Sequence, residues 1–109
     1  MVNLALSGQG VFVYGILKRG STQIGEADGA SNRLRPTFMS YNSNEGTVEH
    51  QNFQFLDSPN TTSATTYKIQ IRNYTAAQSW YVNRTHSDRD NAEYEPRGTS
   101  VITLMEIAQ

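Results

Sequence analysis

The sequence predicts an all-β domain, an antiparallel β-sandwich of seven or eight short strands. Three observations predict it. Apolar and polar residues alternate strictly over Tyr67-Lys68-Ile69-Gln70-Ile71-Arg72, the pattern of a strand that covers a core on one face. Apolar β-segments recur roughly every ten to fifteen residues, divided by turn-forming Gly, Pro, Asn and Ser. No window carries the spacing of an amphipathic helix, and Thr75-Ala76-Ala77-Gln78 has room only for a turn.

The elements follow in order. Val2, Leu4 and Leu6 alternate with polar or small residues, so a first strand begins almost at residue 2. Gly8-Gln9-Gly10 is a turn, and with no helix after it this is no phosphate-binding loop. Val11 to Lys18 is apolar on both faces, with Val11, Val13 and Leu17 on one and Phe12, Tyr14 and Ile16 on the other. Such a strand is either buried on both sides or meets a partner subunit with one of them. Lys18-Arg19-Gly20-Ser21 is a hairpin turn into a short return strand, Thr22 to Gly25, and Ala27 to Asn32 is a loop. Leu34 to Tyr41 is a strand whose early Pro36 places it at a sheet edge. Asn42 to Gly46 is a turn cluster. Thr47 to Leu56 carries Phe53 and Phe55 on one face and Val48 on the other parity, which predicts a bulge or a late start. Asp57 to Ala64 is long enough to cross between sheets. Thr65 to Tyr74 is the clean strand described above. Ser79 to Arg84 places Trp80 and Val82 together, Thr85 to Gly98 is a charged loop, and Ser100 to Ile107 closes the chain as an apolar strand locked into a sheet. Strands with no lead-in at either end are expected of the C-terminal part of a longer protein, or of a sheet completed by a neighbour.

The whole span 1–109 is expected to form a single domain. The hydrophobic share is 37%, low for a globular chain, which suits short strands with polar turns or a subunit that completes its core by association. Charged residues make up 17% with a net charge of −1; with no basic stripe, a nucleic-acid partner is not expected. No apolar run reaches the length of a membrane span. The N-terminal Met1 to Gly8 does not read as a secretory signal. There is no cysteine, so disulfides and thiolate metal sites are excluded.

Four constellations could carry chemistry. His86, Asp88, Asp90, Asn91 and Glu93 offer oxygen ligands at alternate positions, but the loop glycine and terminal glutamate of a calcium loop are lacking. Arg84, Arg89 and Arg97 neutralise the neighbourhood, and a solvated loop with local salt bridges is the expectation, with no metal and no cofactor. His50 and His86 are the only histidines; no serine sits in a nucleophile-elbow motif, so no catalytic residue is assigned. Trp80, Tyr81, Tyr74, Tyr41 and Tyr94 could form a sugar-stacking platform, though Trp80, like Tyr67, is expected in the core. Tyr94 is its best exposed member, and Asp88, Asp90, Asn91, Tyr94 and Arg97 make up the candidate ligand-contact loop. The triplets starting at Asn60, Asn73 and Asn83 match glycan acceptors, and an Asn- and Thr-rich composition yields them by chance.

A resemblance adds to this reading. It rests on Leu56-Asp57-Ser58-Pro59 with Thr61-Thr62-Ser63, on Thr66 to Arg72, on Tyr81-Val82-Asn83-Arg84, on Asp88-Arg89-Asp90-Asn91, and on Ser100 to Ala108. Leu17 to Gly25 and Gly29 to Arg33 also fit. In these pieces the chain resembles the C-terminal jelly-roll domains of virion structural and tail-fibre proteins of tailed bacteriophages of the marine cyanophage type. The resemblance spans nearly the whole chain, but its motifs are those of fold and turn. Family members usually carry further β-structure ahead of the segment matching residue 2, which this sequence lacks. The resemblance implies a trimeric jelly roll like those of tumour necrosis factor and complement heads, in a virion and made in the host cytoplasm. It implies a non-enzymatic role with itself and other virion proteins as partners, and host-surface carbohydrate as a candidate ligand. Capsid decoration and a free carbohydrate-binding module are the alternatives. In a trimer Val11, Phe12, Val13, Tyr14, Ile16, Leu17, Ile102, Leu104 and Ile107 divide between core and subunit interface, while Asn42 to Gly46 and Thr85 to Gly98 face the host.

Overall fold

The structure is a computed structural model that describes residues 1–75 and 77–107. Ala76, inside the predicted Thr75 to Gln78 turn, and Ala108, at the end of the closing segment, lie outside the described residues. The described residues form eight strands in two antiparallel four-stranded sheets, with no helix. They are β1 (Val2–Ser7), β2 (Val11–Arg19), β3 (Thr22–Ile24), β4 (Phe38–Asn42), β5 (Glu49–Phe53), β6 (Tyr67–Asn73), β7 (Tyr81–Val82) and β8 (Val101–Ile102).

Each sheet is built around one central strand. In the first, β1 pairs along one edge with β5; along the other, β8 pairs at Val2 and Asn3 and β7 at Leu6 and Ser7. In the second, β2 pairs with β6 along Val13 to Arg19. Its other edge is shared end to end by β4, opposite Val11 to Gly15, and β3, opposite Leu17 to Arg19. Asp57 to Ala64 lies in the connection between β5 of the first sheet and β6 of the second, as its length predicted.

Alternation decides the inner faces. Val2, Leu4 and Leu6 of β1 and Val13 of β2 form the buried cluster, with Phe38, Phe53, Ile69 and Trp80 packed against it. Across the gap the rings of Phe38 and Phe53 lie 5.6 Å apart. The edge where β4 meets β5 is closed by hydrogen bonds instead: Gln51 Nε2 donates to Ser40 Oγ at 2.9 Å, and Ser40 Oγ donates to the Glu49 carboxylate at 3.3 Å. The core is correspondingly thin. The radius of gyration is 15.8 Å, against about 13 Å for a compact chain of this length.

Several predicted strands are shorter in the structure, each for a visible reason. The segment predicted from Leu34 becomes a strand only at Phe38, because the Thr37 hydroxyl, and not a backbone carbonyl, accepts the Leu17 N–H at 2.9 Å. β5 starts at Glu49, so Val48 reflects a late start and not a bulge. β7 ends at Val82 because Asn83 turns into the left-handed region at φ 64°. The predicted Ser100 to Ile107 strand shrinks to two residues. Ser100 gives Ala5 its hydroxyl oxygen in place of a carbonyl, and the pairing with β1 has reached Met1 by Thr103. Leu104 and Ile107, expected in core or interface, are exposed in the single chain, as is Ile102.

Two glycines are required by geometry. Gly20 takes φ 59° in the two-residue loop between Arg19 and Thr22. Gly15 lies opposite Phe38, and a Cβ there would come within 1.9 Å of the Phe38 ring. Gly15→Ala is therefore expected to push Phe38 off the core and cost about 2 kcal/mol, read from a urea unfolding curve. An unchanged midpoint would show that the ring moves freely.

Candidate functional site

The candidate loop is anchored on β1. Asn83 donates its N–H to Ala5 O at 2.9 Å, Ser7 Oγ donates to Arg84 O at 2.7 Å, and Gly98 donates its N–H back to Asn83 O at 3.0 Å. These bonds bring the two ends of the 84–97 segment together, which makes it a compact loop with a closed base.

Inside the loop one carboxylate gathers the donors. Glu95 is buried, with its side chain fully covered. It accepts hydrogen bonds from the Thr85 hydroxyl, from Ser87 Oγ at 2.6 Å, and from Arg89 Nε and Nη2 at 2.9 and 2.7 Å. Hydrogen bonds from Ser87 and Thr85, joined by Arg89 and opposed by burial, hold its pKa down to about 2 from an ordinary 4.5. Glu95 at φ 73° and Asp88 at φ 46° occupy the left-handed region, a conformation that persists in such residues only where the surroundings impose it. Glu95's bonds are that imposition.

The other candidates sit around this centre. Asp88 is paired with Arg84 at 3.1 Å and with Arg97 at 3.0 Å, so both its neighbouring cations are engaged. Asn91 Oδ1 accepts the Glu93 and Tyr94 N–H groups at 2.8 and 3.3 Å, which makes it a turn-former. Tyr94, Asp90 and Arg97 are exposed. The Asn42 to Gly46 turn joins them: Glu45 O accepts from Ser87 N–H at 3.2 Å, and the Glu45 carboxylate meets Arg89 at 3.4 Å. Both distal loops thus form one surface. Its organising residues, Thr85, Ser87, Glu95 and Glu45, were not singled out from the sequence. In the sequence Glu95 is one charge among several in the Thr85 to Gly98 loop.

The remaining constellations come apart. Trp80 packs on the core, Tyr81 lies beneath Arg84 at 4.0 Å and against the edge of His86, and Tyr41, in the β2 sheet, lies tilted beside its neighbour Phe12 at 4.7 Å. They make no common sugar platform. His50 Nδ1 meets Asn3 Oδ1 at 2.8 Å, and His86 Nδ1 is buried without a hydrogen-bond partner among the described residues. No three His, Asp or Glu side chains among the described residues converge as a metal site would require.

A second surface is apolar. On β2 the inner Val11, Val13 and Leu17 are buried, as their shared parity predicted. Phe12, Tyr14 and Ile16 point outward, and the register sets Phe12 beside Tyr41 and Tyr14 beside Met39. Phe12, Met39 and Tyr41 are all exposed. The chain matches no family model, no curated protein and no solved structure.

Proposed function

We propose that this chain is a non-enzymatic assembly module: a phage virion structural protein whose jelly-roll domain forms a homotrimer in a fibre or tail appendage. The outer face of the β2 sheet carries the reading. A sheet face turned to water should be polar, yet Phe12, Tyr14, Ile16, Met39 and Tyr41 adjoin there, and a continuous apolar patch of this kind marks an interaction surface. Copies of the chain cover it, and the virion location follows from the resemblance of the sequence. The pinned loop with exposed Tyr94 then faces away as a surface for host glycans; a silent glycan array would confine the module to assembly.

The test is the mass of the particle in solution. The native chain is expected to run as a trimer by mass photometry or light scattering, and Phe12→Asp with Tyr41→Asp as a folded monomer. A native monomer with the same fold by circular dichroism overturns the proposal.

A further inference from the structure

The two sheets do not close against each other on every side. Between the β6 side of one and the β8 side of the other lies a cleft of about 1750 Å³, lined by Val2, Leu17, Phe53, Ile69, the 54–65 connection and the 102–107 segment among others. Small-molecule sites span roughly 300–1,000 Å³, so this space suits a further strand better than a compact ligand. β6 borders it and, among the described residues, pairs only with β2. Its outer row of N–H and C=O groups is therefore free. A seven-residue open edge is a ready template for strand addition.

We propose that residues Leu104 to Ile107 of a second copy of this chain add to the free edge of β6. The segment is available: Leu104, Met105 and Ile107 are 63%, 81% and 70% exposed. It borders its own cleft without filling it. Nor can it pair fully with its own β6. Thr103 is tied into the other sheet by two 2.8 Å bonds with Met1. Sheets pack about 10 Å apart and the chain advances about 3.3 Å per residue, so crossing over would consume about three of the four residues Leu104 to Ile107.

Charge selects this partner strand. On its outer face β6 presents Lys68 and Arg72, and Lys68 already stands directly opposite Lys18 of β2. Like charges in that position repel. Pairing of β6 with another β6, antiparallel about Gln70, would set Lys68 against Arg72 and is disfavoured for the same reason. The 104–107 segment carries an acid. Antiparallel with Glu106 opposite Lys68, it places Met105 beside Ile69 and Ile107 beside Tyr67 on the cleft side. Leu104 and Glu106 then lie on the outer side, with Glu106 beside Lys68 on the side away from Lys18. Each copy reaches the next, so the contact closes into a ring when the rotation allows it.

This inference rests on self-assembly as proposed above but uses different residues. The native chain has no cysteine, so two introduced ones report cleanly. Residues opposed in an antiparallel pair have Cα atoms about 4.5–5.5 Å apart, within disulfide range. Full-length chains with differently sized tags, one Lys68→Cys and the other Glu106→Cys, are co-expressed and oxidised. The expected result is a mixed-tag disulfide dimer on a non-reducing gel, absent when Glu93→Cys replaces Glu106→Cys. Particles of trimer mass without that dimer overturn strand addition and leave the outer-face assembly standing. A doubly substituted chain that links only within itself also overturns it. A native monomer overturns both proposals.

Discussion

Leu6→Ala is expected to cost about 3 kcal/mol of unfolding free energy, and to lower Tm on the order of 15 °C. Leu6 is fully buried, in the one cluster where β1 and β2 face each other across the sheets. Large-to-small changes lose the transfer free energy of the deleted atoms and leave a cavity besides. A domain holds only about 5–15 kcal/mol in total, and this core has few other side chains to take over. Leu56→Ala is the matched control: the same atoms are removed, but Leu56 is 80% exposed, and the change should stay within about 0.5 kcal/mol. Urea unfolding curves of both variants decide the matter. Equal losses would mean that the two sheets do not share a core.

Glu95→Ala should release the 84–97 loop while leaving the sheets folded. Removing its carboxylate strips an acceptor from Thr85, Ser87 and Arg89 together, and fully buried Thr85 has no water to turn to. Trypsin cleavage after Arg89 and Arg97 is expected to rise roughly tenfold or more, with the far-ultraviolet spectrum unchanged. Unaltered cleavage would show that the loop is held by Asp88 and its arginines instead. The same group sets an acid limb. Its folded pKa of about 2 lies below the ordinary 4.5, so the ionised form is the one the fold binds. Its stabilisation is complete above about pH 4.5 and is lost as pH falls toward 2.

Asp57 acts in the same sense. Burial, its largest single influence, raises its pKa, but hydrogen bonds from Tyr67 and Arg19, with the Arg19 charge and the Ser58 N–H, outweigh it and leave the pKa lowered from 3.8. A melting profile across this range should therefore slope downward toward acid, and Glu95→Gln should flatten it. Neither carboxylate stood out in the sequence. In the sequence Asp57 is the start of a crossing segment, and Glu95 is one charge among several in a polar loop. What distinguishes them is convergence: Arg19 reaches Asp57 across 38 positions with two 2.8 Å bonds, and Arg89 bridges Glu95 to Glu45 of a remote turn.

Strand alternation, by contrast, was plainly legible. The two faces of β2, the hairpin at Gly20 and the crossing after β5 all follow from side-chain period and turn chemistry, which are properties of neighbouring residues. So does the all-β class. Strand length was less legible, because it depends on which backbone partner is still present at each end. Ser100 and Thr37 each substitute a hydroxyl for a backbone acceptor, and the ladder stops there.

That the chain is β throughout, and which faces of β2 are apolar, is written in the order of the residues, since both depend on local period alone. That Phe12 and Met39 stay uncovered, that Leu104 to Ile107 have left the sheet, and that Glu95 is the centre of its loop emerge once the chain is folded. Those outcomes depend on whether groups distant in the chain arrive at the same place. No local pattern records that.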